Sequence, residues 1–117
     1  MSADNLAVTP AEFKEMWLEA LRSGEYGQTR FRLYSRGGMD FGGDGYCCLG
    51  VAAKVLGLLG DDGMCRYGDA ALERSLPNEL CVILRMSPDL HGKLADMNDS
   101  GESFAEIASA IEKDYQP

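Results

Sequence analysis

The chain has 117 residues, of which 45% are hydrophobic and 26% charged, and its net charge is −8. This length suits one domain with one hydrophobic core, and the acidic balance argues against a nucleic-acid binder, because such a protein needs a basic face. No apolar run reaches the roughly 20 residues of a membrane span, and the first residues do not form a secretion signal. We therefore expect a cytoplasmic protein without a membrane partner, whose four cysteines are free thiols.

An amphipathic helix is predicted near the N-terminus, after a loose arm over residues 1–8. Thr9 suits the N-cap position, Pro10 the first helical position, and Glu12 completes a capping box. The apolar residues that follow have helical spacing, and they are Phe13, Met16, Trp17, Ala20 and Leu21. We expect Trp17 to lie in the core, and residues 9–117 to form a single domain.

A glycine-rich segment separates two predicted strands. Alternating polar and apolar residues predict a strand over 30–34, and five of the eleven residues 35–45 are glycine. A second strand at 45–48 would close a hairpin with a long loop. The glycines have neither the Walker nor the dinucleotide spacing. We interpret the loop first as a turn and second as a mobile loop that contacts a partner. The candidate contact residues are Gly37, Gly38, Asp40, Phe41 and Asp44.

The most apolar helix is predicted over 48–59. A third short strand at 64–67 and a helical piece at 70–74 follow it. Residues 80–86 suit either a buried strand or a helix, and a preceding proline, Pro77, favours the helix.

Two further helices are predicted towards the C-terminus. Ser87 and Pro88 begin the first by the same combination of an N-cap residue and a proline, and the segment 98–101 ends it. Ser103 and Glu106 form a second capping box before the last helix. The predicted fold class is α+β, with helices packed against an antiparallel sheet of the segments 30–34, 45–48 and 64–67.

Two adjacent cysteines stand where the second strand meets the central helix. The dipole and free N–H groups of a helix N-terminus stabilise a thiolate, so Cys47 or Cys48 is a candidate nucleophile. The layout is similar to the nucleophile helix of papain-like and NlpC-type hydrolases, which also need a histidine base. The only histidine is His91, and the candidate orienting residues are Asp89, Asn98 and Asp99. Those hydrolases place the histidine on a strand, whereas His91 lies in a predicted helix. The interpretation we favour is that both cysteines are small buried apolar residues.

Metal and cofactor sites are not expected. Structural zinc sites use pairs of cysteines two to four residues apart. Here Cys47 and Cys48 are adjacent, and Cys65 and Cys81 follow at long intervals. The acidic segment 98–102 lacks the length of a calcium loop.

Three blocks of the sequence resemble a family of small tailed-phage and prophage proteins of unknown function. The family form is W-x-x-A-L-R-S-G-x-Y, then Y/F-C-C-L-G-V, then L-x-x-L-N-D-x-G-x-S-F-x-x-I-A. The matching segments are 17–26, 46–51 and 90–108, with Met97 in place of the second leucine of the third block. The resemblance implies a phage-encoded protein that acts in a bacterial cytoplasm, and it implies no activity.

The function expected from these observations is that of an acidic, non-enzymatic protein that binds and modulates a host protein, such as a defence or replication component. The net charge of −8 suits a basic surface on such a partner. The alternative is a cysteine hydrolase or transferase that uses Cys47 or Cys48 with His91.

Overall fold

The computed structural model describes residues 8–29, 32–38 and 43–117, and this part of the chain forms five helices and two small sheets. The helices are α1 (Pro10–Arg22), α2 (Cys48–Val55), α3 (Asn78–Leu84), α4 (Pro88–Asp99) and α5 (Phe104–Asp114). The strands are β1 (Gly27–Gln28), β2 (Tyr34–Gly38), β3 (Gly43–Tyr46), β4 (Cys65–Tyr67) and β5 (Ala70–Leu72). The α+β fold class predicted from the sequence is confirmed.

The helix starts follow the predicted capping chemistry. Thr9 and Glu12 form the capping box of α1, and Ser103 and Glu106 form that of α5. Ser87 caps α4 by accepting a hydrogen bond from the N–H of Leu90, with proline at the next position. These local bonds satisfy N–H groups that the first turn of a helix leaves unpaired.

The strands form two separate sheets instead of one. The first sheet has the order β1-β3-β2, in which β3 pairs parallel with β1 and antiparallel with β2. The second is the β4–β5 hairpin, with Cys65 opposite Leu72. The predicted strand at 64–67 therefore exists, but it pairs with residues 70–72, for which a helical piece was wrongly predicted. Gly68, at φ 59°, supplies the tight turn that allows this hairpin.

Other predicted boundaries also move. The strand predicted at 30–34 is wrong at residues 32 and 33, which are bends, whereas its last residue, Tyr34, begins β2. Residues 30 and 31 lie outside the described residues. The strand predicted at 45–48 ends at Tyr46, because Cys47 is already the N-cap of α2. The central helix ends at Val55 instead of residue 59. Residues 78–84 are helical, as Pro77 favoured.

The core lies between the helices and includes an aromatic cluster. Trp17 stacks on Phe13 with ring centroids 5.2 Å apart, and Tyr115 meets Trp17 edge-on at 6.1 Å. The Tyr115 hydroxyl donates a hydrogen bond to the carbonyl of Leu84, which joins α5 to α3. Trp17 is fully buried, as expected, whereas Met16 at the edge of the predicted apolar stripe stays 36% exposed.

None of the helices in the described part of the chain is both long enough and apolar enough to cross a membrane.

Candidate functional site

Cys48, the first residue of α2, is held by hydrogen bonds through its backbone and its side chain. Its N–H donates to Oδ1 of Asn98 at 3.1 Å, and its carbonyl accepts from Nε1 of Trp17 at 2.9 Å. Its Sγ lies 3.5 Å from the carbonyl oxygen of Leu94, to which the thiol donates. All three partners come from other elements, so Cys48 joins α1, α2 and α4.

Asn98 is the buried polar residue at this junction. Besides the Cys48 N–H, its Oδ1 accepts from Nε2 of Gln28 at 3.0 Å, while its Nδ2 donates to the carbonyl of Thr29 at 2.7 Å. Gln28 also donates to the carbonyl of Glu102 at 2.7 Å. The side chain therefore connects the end of α4 to β1 and to the first turn of α2. Because Asn98 is neutral and fully buried, it satisfies these groups without the cost of burying a charge.

Cys47 caps α2 with its sulfur atom. The N–H of Gly50 donates to Cys47 Sγ at 3.3 Å, and the N–H of Cys47 donates to the carbonyl of Leu33 at 3.1 Å. Burial raises the pKa of the Cys47 thiol to about 11, and it raises the pKa of Cys48 well above its ordinary value. The desolvation cost of a thiolate exceeds the stabilisation from the helix N–H groups at this position.

Gly50 allows α2 to approach the chain at Leu33. A Cβ atom at residue 50 would lie only 1.8 Å from the carbonyl oxygen of Leu33, so no other residue fits without moving one of the two segments. Leu33 is itself fully buried. The cysteines and the glycine of the segment 46–51 thus have packing roles, and each of the three sequence blocks contributes one member of the Trp17–Cys48–Asn98 group.

His91 occupies a different place from Cys47. It lies on α4, where its Nε2 accepts a hydrogen bond from the N–H of Leu76 at 3.2 Å, and desolvation lowers the pKa of the imidazole. His91 and Asn98 are seven residues apart on the same helix, which corresponds to about 10 Å along its axis. Cys47 lines a cavity with Asn98 and Asp99, whereas His91 lines another with Cys81. Because the Nε2 lone pair is occupied and the cavities differ, His91 forms no thiol–imidazole pair with Cys47 or Cys48.

The predicted contact loop is only partly described. Gly37 and Gly38 end β2, Asp44 lies in β3, and the strands pair antiparallel with an irregular register between residues 35 and 38. This agrees with the expected hairpin. Asp40 and Phe41 lie outside the described residues, so their role as contact residues stays a prediction.

An apolar groove lies between the β4–β5 hairpin and helices α3 and α4, and we call it the α3 groove. It has a volume of about 430 Å³. Its apolar lining residues include Leu72, Leu76, Pro77, Cys81 and Pro88, and His91 contributes an uncharged ring. The interior of the groove therefore contains no charged side chain among the residues that line it.

Two exposed apolar side chains lie at or next to residues of the α3 groove, since Leu72 lines it and Val82 follows the lining residue Cys81. Val82 is 74% exposed and Leu72 is 37% exposed. Val82 is four residues after the groove-lining Asn78 on α3, so both lie on the same helix face. A valine this exposed loses little water when the protein folds, and its apolar surface is available for burial in a complex.

The edges of the α3 groove carry negative charge. Four exposed acidic residues and one exposed basic residue are each adjacent in sequence to a lining residue, and they are Asp69, Glu73, Glu79, Asp89 and Arg74. None of them forms an ion pair with another side chain in the ranges 8–29, 32–38 and 43–117. The carboxylate of Glu79 lies beside Gly68, at the turn of the hairpin, so this charge faces the space between hairpin and helix. An apolar groove with acidic edges suits a segment that is both apolar and basic.

The groove was missed from the sequence, although one signal was present. Cys81, Val82, Ile83 and Leu84 are four consecutive apolar residues. In a helix, four consecutive residues point in all directions, so one of them must face away from the core. The structure shows that Val82 is this residue.

Metal binding finds no support in the described segments, where no group of three or more His, Cys, Asp or Glu side chains is placed to hold an ion. All four cysteines are buried free thiols.

Comparison with known proteins gives one match. The profile of a domain of unknown function, DUF8296, matches residues 10–62, just under half of the chain. This similarity covers α1, the first sheet and α2, and it ends before the α3 groove. No curated protein and no solved structure matches the chain.

Proposed function

We propose that this chain is a non-catalytic, phage-encoded protein that acts in the cytoplasm of the bacterial host by binding and modulating a host protein. The phage origin rests on the sequence blocks at 17–26, 46–51 and 90–108. The contact surface is the α3 groove. The observation that carries the proposal is the 74% exposure of Val82 at the border of an apolar groove.

The partner contributes a basic segment with an apolar side chain. The uncharged interior of the groove accepts the apolar side chain, and lysine or arginine residues on either side of it face the carboxylates of Glu73, Glu79 and Asp89. The net charge of −8 attracts such a segment over a longer range and raises the association rate. Burial of the apolar side chain supplies the affinity.

The alternative function, a cysteine hydrolase or transferase that uses Cys47 or Cys48 with His91, is less well supported by the geometry. The Cys48 thiol donates to a backbone carbonyl inside the core, and the raised pKa of Cys47 leaves this thiol protonated near neutral pH. A cysteine nucleophile instead needs a lowered pKa and a base within hydrogen-bond reach.

The test is a capture experiment from host lysate at low and moderate salt, with four forms of the tagged protein. These are the native chain, Leu72→Ser, Val82→Ser and Met16→Ser. Met16 is the matched control, because it is 36% exposed and Leu72 is 37% exposed. Met16 lies on α1, outside the groove. We expect one partner that the native chain and Met16→Ser retain in equal amount, and that higher salt weakens.

The groove variants should lose most of this binding. Complete burial of a valine side chain is worth about 1.5 kcal/mol, so Val82→Ser should raise the dissociation constant for the captured partner about tenfold. Equal retention by Leu72→Ser, Val82→Ser and Met16→Ser would show that the partner binds elsewhere on the protein.

A further inference from the structure

A second cavity, which Cys47 lines, is bordered by two arginine side chains. Its volume is about 170 Å³, and Arg32 and Arg74 line it together with Cys47, Asn98 and Asp99. The apolar part of its lining comes from Leu49 and Ala95. We call it the arginine cavity. Nothing in the proposed function uses it.

The backbone holds the two arginines next to each other. The N–H of Leu33 donates to the carbonyl of Glu73 at 2.8 Å, and the carbonyl of Leu33 accepts from the N–H of Cys47 at 3.1 Å. Arg32 precedes Leu33 and Arg74 follows Glu73, so these bonds bring both arginines to the mouth of the same cavity. Leu33 is fully buried, which anchors the segment against the core.

The positive charges of the two arginines outnumber the negative charge of Asp99, which lines the same cavity. The protein has 19 acidic and 11 basic residues, so carboxylates are plentiful. Arg22, Arg66 and Lys93 each form an ion pair with one. Within the described residues, Arg32 and Arg74 form neither an ion pair nor a side-chain hydrogen bond. Two like charges side by side repel each other, and a bound anion relieves this repulsion.

We propose that the arginine cavity binds a phosphoryl dianion, either free phosphate or the phosphate group of a small monoester. Each guanidinium group offers a planar pair of N–H donors that matches two oxygens of a phosphoryl group. Two positive charges favour a dianion over a carboxylate. The neutral thiol of Cys47 adds no repulsion, and Leu49 and Ala95 offer contact to the organic part of a monoester.

Asp99 opposes this binding in a measurable way. Its carboxylate lines the same cavity and repels an anion. The site therefore carries two positive charges and one negative charge. Removal of the Asp99 charge should strengthen binding, whereas removal of either arginine charge should weaken it. This opposite response distinguishes a specific site from diffuse attraction.

The experiment is calorimetric titration of the full chain at constant ionic strength and pH 7.5, where a phosphate monoester with a second pKa of about 6 is a dianion. The probes are inorganic phosphate, glycerol 3-phosphate and acetate. The variants are Arg32→Gln, Arg74→Gln and Asp99→Asn, and Arg85→Gln is the control, because Arg85 is an exposed arginine at the end of α3, outside the cavity. Unfolding temperatures without ligand show that each variant is folded.

We expect both phosphate probes to bind the native chain and Arg85→Gln equally, and acetate to bind at least tenfold more weakly. Arg32→Gln and Arg74→Gln should each lose about tenfold or more in phosphate affinity, because hydrogen bonds to charged groups are among the strongest. Asp99→Asn should gain several-fold. The tighter of the two phosphate probes identifies the source of the phosphoryl group. Absence of phosphate binding, or equal binding by Arg32→Gln, Arg74→Gln and Arg85→Gln, would overturn the proposal.

Discussion

Replacement of Asn98 by alanine removes the polar centre of the Trp17–Cys48–Asn98 group. The Cys48 N–H and the Thr29 carbonyl each lose their partner, while Gln28 keeps its bond to the carbonyl of Glu102. A buried polar group left without a partner costs about 1–3 kcal/mol. Two such groups, together with the space left by the amide, should lower the free energy of unfolding by about 3–5 kcal/mol.

Urea denaturation followed by tryptophan fluorescence measures this loss, since the single tryptophan, Trp17, is bonded to the same group. Because the free energy of unfolding of small proteins is only about 5–15 kcal/mol, this loss should lower the urea concentration at the unfolding midpoint by a large fraction. The control is Asn78→Ala, the same substitution at an exposed position on α3, with an expected change within about 0.5 kcal/mol. A loss below about 1 kcal/mol for Asn98→Ala would refute the inference that this side chain joins the helices to the sheet.

Three further predictions concern the same packing. Gly50→Ala should destabilise the protein by about 3 kcal/mol or more, because the added Cβ would lie 1.8 Å from the Leu33 carbonyl oxygen. Gly92→Ala is the control, because nothing lies within 4 Å of its Cβ position, and it should stabilise α4 by about 0.5–1 kcal/mol. Thermal unfolding of the two variants measures both signs, and equal destabilisation would contradict the close approach at residue 50. Burial raises the pKa of the Cys47 thiol to about 11 in the folded protein, whereas the thiol of the unfolded chain has its ordinary pKa of 9.0. The unfolded state therefore binds fewer protons between these values, and native stability should fall as the pH rises through this window, by about 1.4 kcal/mol per pH unit from this thiol. Cys47→Ala should remove that part of the slope in urea titrations at a series of pH values, and an unchanged slope would mean that the thiol is solvated. Tyr115→Phe should cost about 1–1.5 kcal/mol in urea denaturation, because the Leu84 carbonyl loses its donor, and no loss would mean that water replaces the hydroxyl.

A separate prediction tests the cysteine alternative. Iodoacetamide should modify Cys47 and Cys48 far more slowly in the native protein than in the urea-denatured protein, because both thiols are buried and protonated at neutral pH. Mass spectrometry after short exposure at pH 6.5 and pH 8, with a urea-denatured sample as control, measures the rates. Rapid modification of either native thiol at pH 6.5 would restore the nucleophile hypothesis.

Most helices were predictable because their signals are local. Capping residues and periodic apolar side chains indicated α1, α4 and α5, and the structure confirms their starts at Pro10, Pro88 and Phe104. The strands were less predictable, because a segment becomes a strand only where another segment pairs with it. Residues 70–72 became β5 through pairing with 65–67 instead of forming a helical turn, and β1 is only two residues long.

The candidate site was predictable only in part. The adjacent cysteines marked the centre of the molecule correctly, since Cys48 connects α1, α2 and α4. Their chemistry was not predictable, because the pKa of a thiol depends on burial, which residues distant in sequence provide. Asn98 looked like part of a helix stop, although its amide reaches back seventy residues to Gln28. The arginine cavity likewise combines segments far apart in the chain, whereas the α3 groove is lined by residues 70–91 alone.

The most direct test of the central claim, that the α3 groove binds an apolar side chain on a basic segment, is a selection of random displayed peptides on the immobilised protein. Met16→Ser serves as the positive control, and the double variant Leu72→Ser/Val82→Ser serves as the negative control. We predict that the enriched peptides share one leucine, isoleucine or phenylalanine flanked by lysine or arginine, and that they bind the native chain and Met16→Ser but not the double variant. Enrichment of peptides without basic residues, or equal binding by the double variant, would contradict the claim.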